Sequence, residues 1–303
     1  MPNYSIGAFI KHRRNELKIS QSELCCGICN VGTLSRIENG ELLPKSEIAE
    51  LILQRLGYSS GAFDGFLTDK DFTTAQTIQK AKNLTSLGKN DEARAVIEEL
   101  SRDYESLRLQ DKQYCDRTET ILLNSSDKIS DEQALKNLIR ILERSIGRFN
   151  LDELPKVVSF EEMSLLNNIA IRYARIGRMD TAIKILYHMK DINEQNIIDQ
   201  YESMKSLPGI LYNLSKYLGL SGRYDESIAI CEHSIELLRR TGWFRLLPQT
   251  MYDLGWSLFK RGRAEDLARV RKIMNEAYRL SSIISGDGKL TRHISKFIAE
   301  NFK

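Results

Sequence analysis

The sequence predicts an all-α protein in two parts, a small N-terminal helical domain and a longer domain of repeated helical pairs. Three observations indicate this class. Apolar residues recur at helical spacing along most of the chain, only 5 of its 303 residues are prolines, and a glycine-turn pattern repeats in the C-terminal part. The composition, 42% hydrophobic and 28% charged, is typical of a folded chain too long for one small core.

Four short helices fit residues 5–57, each with apolar residues on its inner face. Ser20 and Glu23 form a capping-box signature at the start of the second helix. A tight connection leads to the third helix, whose inner face carries Leu34 and Ile37. Two short helices joined by a tight turn form a helix-turn-helix.

The third helix is a candidate DNA-reading element. In a helix-turn-helix the second helix of the pair enters the major groove, while its partner crosses the phosphates. The residues left facing outward are Asn30, Val31, Gly32, Thr33, Ser35 and Arg36. Arg36 can make a bidentate contact with guanine, although a phosphate contact or a solvated arginine would explain it equally. The residues better placed for phosphates are Gln21, Lys11, Arg13 and Lys18.

A resemblance to known families supports this interpretation. The residues that carry it are Gly7, Arg14, Gln21, Leu24, the run TLSRIENG from Thr33 to Gly40, and Pro44. They resemble the helix-turn-helix of phage repressors over about the first 57 residues, which implies a structural ion pair between Arg14 and Glu38. The narrower run GICNVGTLSRIENG is similar to the RRNPP family, of PlcR and Rgg type, whose members are Gram-positive regulators that sense secreted peptides.

The N-terminal domain carries little net charge. Residues 1–57 contain seven Lys or Arg and six Asp or Glu, a net of +1, and the whole chain has a formal net charge of +3. Because affinity for DNA depends on how many phosphates are neutralised, a monomer would bind weakly. We therefore expect a homodimer on double-stranded DNA.

The segment YSSGAFDGFLTDKD after Gly57 is rich in Gly, Ser and Asp, which is typical of a connection between domains. We therefore predict a helix-turn-helix domain of four to five helices over residues 1–66, with a linker to about residue 71. The repeat domain then covers residues 72–303.

A repeat runs through this second domain. Its turn glycines, at intervals of 89, 45 and 40 residues, are Gly88, Gly177, Gly222 and Gly262. The residues five positions later are Ala93, Ala182, Ser227 and, where the small-residue pattern is lost, Leu267. The long first interval leaves room for one degenerate unit near Ala134. We therefore predict five helical pairs and a final helix.

Each unit of helix, glycine turn and helix resembles a tetratricopeptide repeat with lengthened helices. The resemblance is good around residues 170–182, 214–227 and 254–268, moderate over 72–104 and poor over 110–149. It implies a right-handed solenoid whose concave groove is lined by the first helix of each pair.

Polar and aromatic residues at equivalent positions of these first helices make the groove a candidate peptide site. They are Gln79, Asn167, Asn168, Arg172, Tyr212, Asn213, Lys216, Tyr252, Asp253 and Trp256. A column of carboxamides suits an extended peptide, because each can donate to a backbone carbonyl and accept from an N–H. Asp253 can accept but not donate, so we expect its end of the groove to prefer a cation. The alternative is that the asparagines cap contacts between helices or face water.

Several other classes are disfavoured. No apolar run approaches the roughly 20 residues that cross a bilayer, and the chain has no Walker loop, GxSxG elbow, HExxH motif or dinucleotide fingerprint. Five cysteines are an odd number, which favours reduced thiols. Cys25, Cys26 and Cys29 lack a second Cys/His pair nearby, which favours buried thiols over zinc and leaves a redox switch as an alternative. We expect a cytoplasmic protein with no enzymatic activity, cofactor, metal or membrane association.

Together these observations predict a cytoplasmic DNA-binding transcription regulator whose repeats bind a short signalling peptide and form a homodimer. The family resemblance implies that the peptide is a secreted signal, re-imported into the producing cell, and that it binds the concave face. The alternative is a DNA-anchored repeat adaptor whose groove binds another protein.

Overall fold

The computed structural model describes residues 6–58, 69–195, 200–242 and 244–302. Within these ranges it contains fifteen α-helices and three short 3-10 helices, and no strand. None of the helices in the described part of the chain is long and apolar enough to cross a membrane. The prediction of an all-α protein, a helix-turn-helix followed by helical repeats, is confirmed.

The N-terminal helices are α1 (Ile6–Glu16), α2 (Gln21–Cys25), α3 (Val31–Glu38) and α4 (Ser46–Arg55). The predicted capping box starts α2, since the Ser20 hydroxyl accepts from the backbone N–H of Glu23 and the Glu23 carboxylate accepts from that of Ser20. These contacts satisfy two backbone donors that a short helix would otherwise leave unpaired.

The repeats form five helical pairs and a final helix. They are α5 (Asp69–Ser86) with α6 (Asn90–Ser101), α7 (Leu109–Ser125) with α8 (Asp131–Ile146), α9 (Phe160–Arg175) with α10 (Met179–Glu194), α11 (Gln200–Leu220) with α12 (Tyr224–Thr241), α13 (Leu247–Arg261) with α14 (Leu267–Ser285), and α15 (Lys289–Asn301). The four turn glycines have φ between 73° and 84°, a left-handed conformation that favours glycine. Ala93, Ala182 and Ser227 are 0% exposed, whereas Leu267 is 47% exposed.

Contacts divide the chain into two compact units. Unit 1 comprises Met1–Gly177 and Glu194–Asp199, and unit 2 comprises Arg178–Asn193 and Gln200–Lys303. Most of the linker predicted after Gly57, namely residues 59–68, lies outside the described residues.

In unit 1, α1 to α4 enclose one apolar core. Leu24, Leu34 and Ile52 are fully buried in it. α1 crosses α3 so closely that a Cβ on Gly7 would lie 1.8 Å from the carbonyl oxygen of Ile37, which explains the glycine. Val157, from the segment before α9, completes the core, so the helix-turn-helix also packs on the repeats of its own unit.

Arg55, at the end of α4, is the main polar link in that packing. Its side chain is 1% exposed, and its Nη2 lies 2.8 Å from Oε1 of Glu162 at the start of α9. The side chain of Glu162 is 0% exposed. The same guanidinium donates to the carbonyls of Leu24, Cys26 and Ser145. Burial alone would raise the pKa of Glu162, but the charge of Arg55 and the hydrogen bonds to the carboxylate hold it below its ordinary value.

Unit 2 has its own core, built from α12 to α15. Leu258, Met274 and Ile294 are fully buried there. Small hydroxyl residues allow close approach of the helices: the Ser227 hydroxyl on α12 donates to the carbonyl of Ser215 at 2.8 Å and lies 2.9 Å from the hydroxyl of Ser257 on α13. This packing brings three helices to one side of unit 2. They are α11 and α13, each the first helix of its pair, and the final helix α15.

Candidate functional site

The outward face of α3 is the first candidate site. Leu34 and Ile37 are buried, which turns the other side of the helix to solvent. Val31, Gly32 and Arg36 are exposed. The remaining predicted readers are Asn30, which is exposed, and Thr33 and Ser35, which are half-buried.

Asn30 has a structural role in α3 as well. Its Oδ1 accepts from the backbone N–H of Thr33 at 2.7 Å and caps the helix. An N-capping carbonyl has less capacity to accept from a base edge. Arg36, which is exposed in the last turn of α3, is the longest hydrogen-bonding side chain on this face.

Below this face lies a polar network. Arg14 of α1 donates to both carboxylate oxygens of Glu38, at 2.6 and 3.0 Å, and to the carbonyl of Ile19. Gln21 adds a third donor to that carboxylate at 2.7 Å. Burial would raise the pKa of Glu38, yet the donors Arg14 and Gln21 hold it below its ordinary value. One side-chain N–H of Gln21 is thus engaged inside the domain.

The cations predicted to meet phosphates lie on or near α1. Lys11 is exposed and donates to Asn39 at 3.0 Å. Arg13 is half-buried and pairs with Glu16 at 3.2 Å, while Lys18 is exposed. The contacts of Lys11 and Arg13 involve exposed partners, and such pairs contribute at most about 1 kcal/mol, so a phosphate can compete for both cations.

The predicted groove residues of unit 1 are not equivalent in their surroundings. Gln79 on α5 is exposed and donates to Asn83 at 3.0 Å. On α9, Asn167 and Asn168 are half-buried, and Asn168 donates to the carbonyl of Ser164 in its own helix at 2.8 Å.

Arg172 differs from the expectation that it lines the groove. It is 6% exposed, and its Nη1 donates to Asp131 at 2.6 Å and to Asn124. Asp131 lies in the first turn of α8, so Arg172 ties α9 to the start of α8. The long side chain of Arg172 thus reaches a half-buried carboxylate at the start of the preceding helix.

In unit 2, four of the residues predicted from the repeats line a cavity of about 680 Å³. Its lining consists of Tyr212 and Lys216 from α11, Gln249, Tyr252 and Asp253 from α13, and Lys289, Leu290, Arg292, His293 and Lys296 from α15. A smaller pocket of about 240 Å³ shares several of these residues and adds Trp256. Asn213, also on α11, is half-buried and does not contribute to either lining.

The interior of this cavity holds two hydrogen-bond acceptors. Oδ2 of Asp253 and Oε1 of Gln249 are shielded from water and have no hydrogen-bond partner among the described residues. Burial raises the pKa of Asp253 to about 7, with Lys216 acting in the opposite direction. On the wall, the hydroxyl of Tyr252 lies 2.8 Å from Nε2 of His293.

Sequence reasoning missed six of these ten lining residues. Gln249 precedes Asp253 by one helical turn, so it shares the inner face of α13, and the alignment of equivalent positions did not extend that far. Lys289, Arg292 and Lys296 recur at helical spacing in the final helix, a signal that was present but outside the repeat pattern.

The three clustered cysteines differ in their exposure to solvent. Cys25 is buried, Cys29 is half-buried, and Cys26 is exposed with its thiol 3.2 Å from the carbonyl of Ile146. Burial raises the pKa of Cys29 to about 11, which disfavours its thiolate. Within the described ranges, no group of three or more His, Cys, Asp or Glu could hold a metal ion.

A helix-turn-helix with an exposed α3, followed by helical repeats that form a cavity, defines the class of transcription regulators with a ligand-binding repeat domain. Two family models match in the same order. The model described as Helix-turn-helix matches residues 10–63, and the model described as RNPP family C-terminal domain matches residues 79–279. The chain belongs to the RNPP family, and it is a peptide-controlled transcription regulator.

Solved structures show the same fold. PlcR of Bacillus thuringiensis in complex with the peptide PapR7 and DNA is 20% identical, with 99% of each chain covered and a TM-score of 0.61. The apo form of the competence regulator ComR from Streptococcus vestibularis is 19% identical, with 98% of each chain covered and a TM-score of 0.53. No curated protein sequence matches the chain.

Proposed function

We propose that this protein is a cytoplasmic, homodimeric regulator that binds an operator through α3 and takes a short signalling peptide into the cavity of unit 2. The observation that carries the proposal is the cavity itself, where the predicted groove residues Tyr212, Lys216, Tyr252 and Asp253 meet. The complex of PlcR with both a peptide and DNA, in the same fold, supports the two kinds of ligand.

The chemistry of the cavity suits a peptide. Tyr212 and Tyr252 offer aromatic surface for side chains, and the shielded oxygens of Asp253 and Gln249 can accept from backbone N–H groups. Asn167, Asn168 and Asn213 remain proposed contacts along the first helices. One N–H of Asn168 is bonded to Ser164, which leaves its second N–H and its carbonyl oxygen for a peptide.

A repeat adaptor that binds a folded protein is the second candidate. A cavity of about 680 Å³ bounded by three helices admits the end of a flexible chain more readily than a broad protein surface. The size of the cavity therefore favours the peptide.

The DNA-binding half of the proposal is tested with Arg36→Ala. Duplexes are selected from a random-sequence pool with the wild-type chain, and affinities are then measured by fluorescence anisotropy on a selected and a scrambled duplex at fixed salt. If Arg36 reads a base, the variant should lose roughly 1 to 3 kcal/mol on the selected duplex and much less on the scrambled one.

Lys45→Ala is the matched control. Lys45 is exposed at the start of α4 without a side-chain cap. Its substitution removes one positive charge from the same domain and should weaken binding to both duplexes by the same small factor. Equal losses for Arg36→Ala on the two duplexes would reduce it to a phosphate contact. Failure of the wild type to enrich any sequence would contradict operator recognition, and light scattering of the complex tests the proposed dimer.

A further inference from the structure

The cavity of unit 2 has a strongly asymmetric charge distribution. Lys289, Arg292 and Lys296 occur at intervals of three and four residues along α15, a spacing that places them on one face of a helix. All three line the cavity, and Lys216 approaches from α11. Lys289, Arg292 and Lys296 therefore form a cationic wall of the cavity, and Lys216 contributes a fourth positive charge from α11.

These cations are available to a ligand. Arg292 lies 3.9 Å from Asp287, and Lys296 lies 3.8 Å from Glu300. Both members of each pair are largely exposed. Exposed pairs at such distances contribute at most about 1 kcal/mol and are screened by salt. A carboxylate inside a partly enclosed cavity would compete effectively with them, because hydrogen bonds between ionised groups are stronger away from bulk water.

Asp253 does little to oppose this wall. It is the single carboxylate in the lining formed by the described residues. Its pKa of about 7, raised by burial, means that a large fraction of molecules carry it protonated at neutral pH. The expectation from sequence that this end of the groove prefers a cation considered Asp253 alone, and α15 reverses the balance of charge.

We propose that this cavity binds a carboxylate at the C-terminal end of the peptide, with Lys289, Arg292 and Lys296 holding the carboxylate while Asp253 and Gln249 accept adjacent N–H groups. The free C-terminus of a peptide carries both groups within a single residue, a carboxylate and its own backbone N–H. The inference rests on the proposed function and specifies the chemistry that the ligand must bring. Lys289, Arg292 and Lys296 of α15 lie beyond the 79–279 range of the family match.

The test uses an array of short random-sequence peptides anchored by their N-termini, each printed once as the C-terminal free acid and once as the amide. Fluorescently labelled full-length protein is applied at fixed salt and pH. For sequences that bind, we expect the free acid to bind about tenfold or more tightly than its amide, the range given by one charge-assisted hydrogen bond.

Two triple variants separate recognition from general charge. Lys289→Ala/Arg292→Ala/Lys296→Ala should bind acid and amide alike. Arg271→Ala/Lys272→Ala/Arg279→Ala removes the same charge from exposed positions on α14 that do not line the cavity, and should keep the preference for the acid.

The outcomes are distinguishable. Equal binding of acid and amide, with Asp or Glu enriched at one position and lost in the α15 variant, would keep a carboxylate ligand and overturn its C-terminal source. Equal binding with no acidic enrichment would overturn the inference and leave peptide binding intact. Absence of binding to any peptide would contradict the proposed function, and this inference with it.

Discussion

Arg55 and Asp253 are both ionisable residues shielded from water, but only Arg55 has its hydrogen-bonding groups satisfied within the described chain. We therefore assign Arg55 a role in folding and Asp253 a role in ligand binding. The five N–H donors of Arg55 all have acceptors, two on Glu162 and three on backbone carbonyls. Oδ2 of Asp253 has no partner in the described part of the chain. A satisfied buried group stabilises the fold, whereas an unsatisfied one costs free energy until a ligand supplies its partner.

Asp253 should therefore make the stability of unit 2 depend on pH. Its pKa is raised from 3.8 to about 7 by burial. A carboxyl whose pKa is higher in the folded state contributes stability that is full below pH 4 and is lost as pH rises through about 7. We expect Asp253→Asn, which stays neutral, to be more stable than wild type by about 1 to 3 kcal/mol at pH 8 and by much less at pH 5.

Urea unfolding of both proteins at the two pH values measures this difference. Tyr252 neighbours Asp253 on its own helix, α13. The groups that face Asp253 from other helices are Tyr212, Lys216, Cys231, Lys289, Arg292, His293 and Lys296. All of them are present in both proteins, so their contributions cancel to first order in the comparison. The same stability difference at pH 5 and pH 8 would show that Asp253 is solvated.

At the scale of elements, the turn between α2 and α3 is held against the end of α8. Gly27 has φ of +68°, and a Cβ there would lie 1.7 Å from the carbonyl oxygen of Ser145. The same carbonyl accepts from Arg55 at 2.9 Å. Backbone contact of this kind leaves no room for a side chain, so the glycine fixes how closely the helix-turn-helix packs on α8.

Gly27→Ala should destabilise the full chain more than Gly40→Ala does. Gly40 has φ of +77°, and no other atom would lie within 4 Å of a Cβ at this position. Its substitution therefore measures the strain of a left-handed residue alone, about 1 kcal/mol. At Gly27 the clash with Ser145 adds to that strain, and we expect a total loss of about 3 kcal/mol or more. Thermal unfolding that gives equal losses for the two variants would mean that α8 yields without cost.

The helices themselves were predictable because their signals are local. The box of Ser20 and Glu23, the turn glycines and the small residues at Ala93 and Ala182 act within a few positions of the chain, and the structure has each as predicted. Arg55 was not predictable in the same way. A basic residue in the last turn of a helix is favoured for its charge alone, and its partner Glu162 lies 107 residues away.

In the candidate site, too, residues that follow the repeat signal in the sequence were predicted and residues outside it were not. Tyr212, Tyr252 and Asp253 were found because equivalent repeat positions face the same side. Lys289 and its neighbours on α15 were missed because the final helix has no partner in the repeat. Contacts between elements distant in sequence depend on packing geometry, which a periodic pattern does not contain.

At the scale of the whole molecule, the contacts group α1 to α4 with α5 to α9 rather than separating them. Unit 1 extends to Gly177, although composition marks the linker after Gly57 as a boundary. Arg55, Gly27 and Val157 are among the residues that join the helix-turn-helix to α8 and α9. We infer that the DNA-binding helices open and close together with those repeats.

Native-state hydrogen exchange measures this cooperativity directly. If unit 1 opens as one body, the slowest amides of α3 and of α9 should share one opening free energy, while those of α13 and α14 report a separate value. Glu162→Gln leaves the charge of Arg55 unpaired and buried, a change that costs about 3 to 5 kcal/mol. It should lower the value shared by α3 and α9 by that amount and leave α13 and α14 unchanged. A variant that weakens α9 alone, with α3 exchanging at its wild-type rate, would place the boundary at the linker and make the helix-turn-helix an independent folding unit.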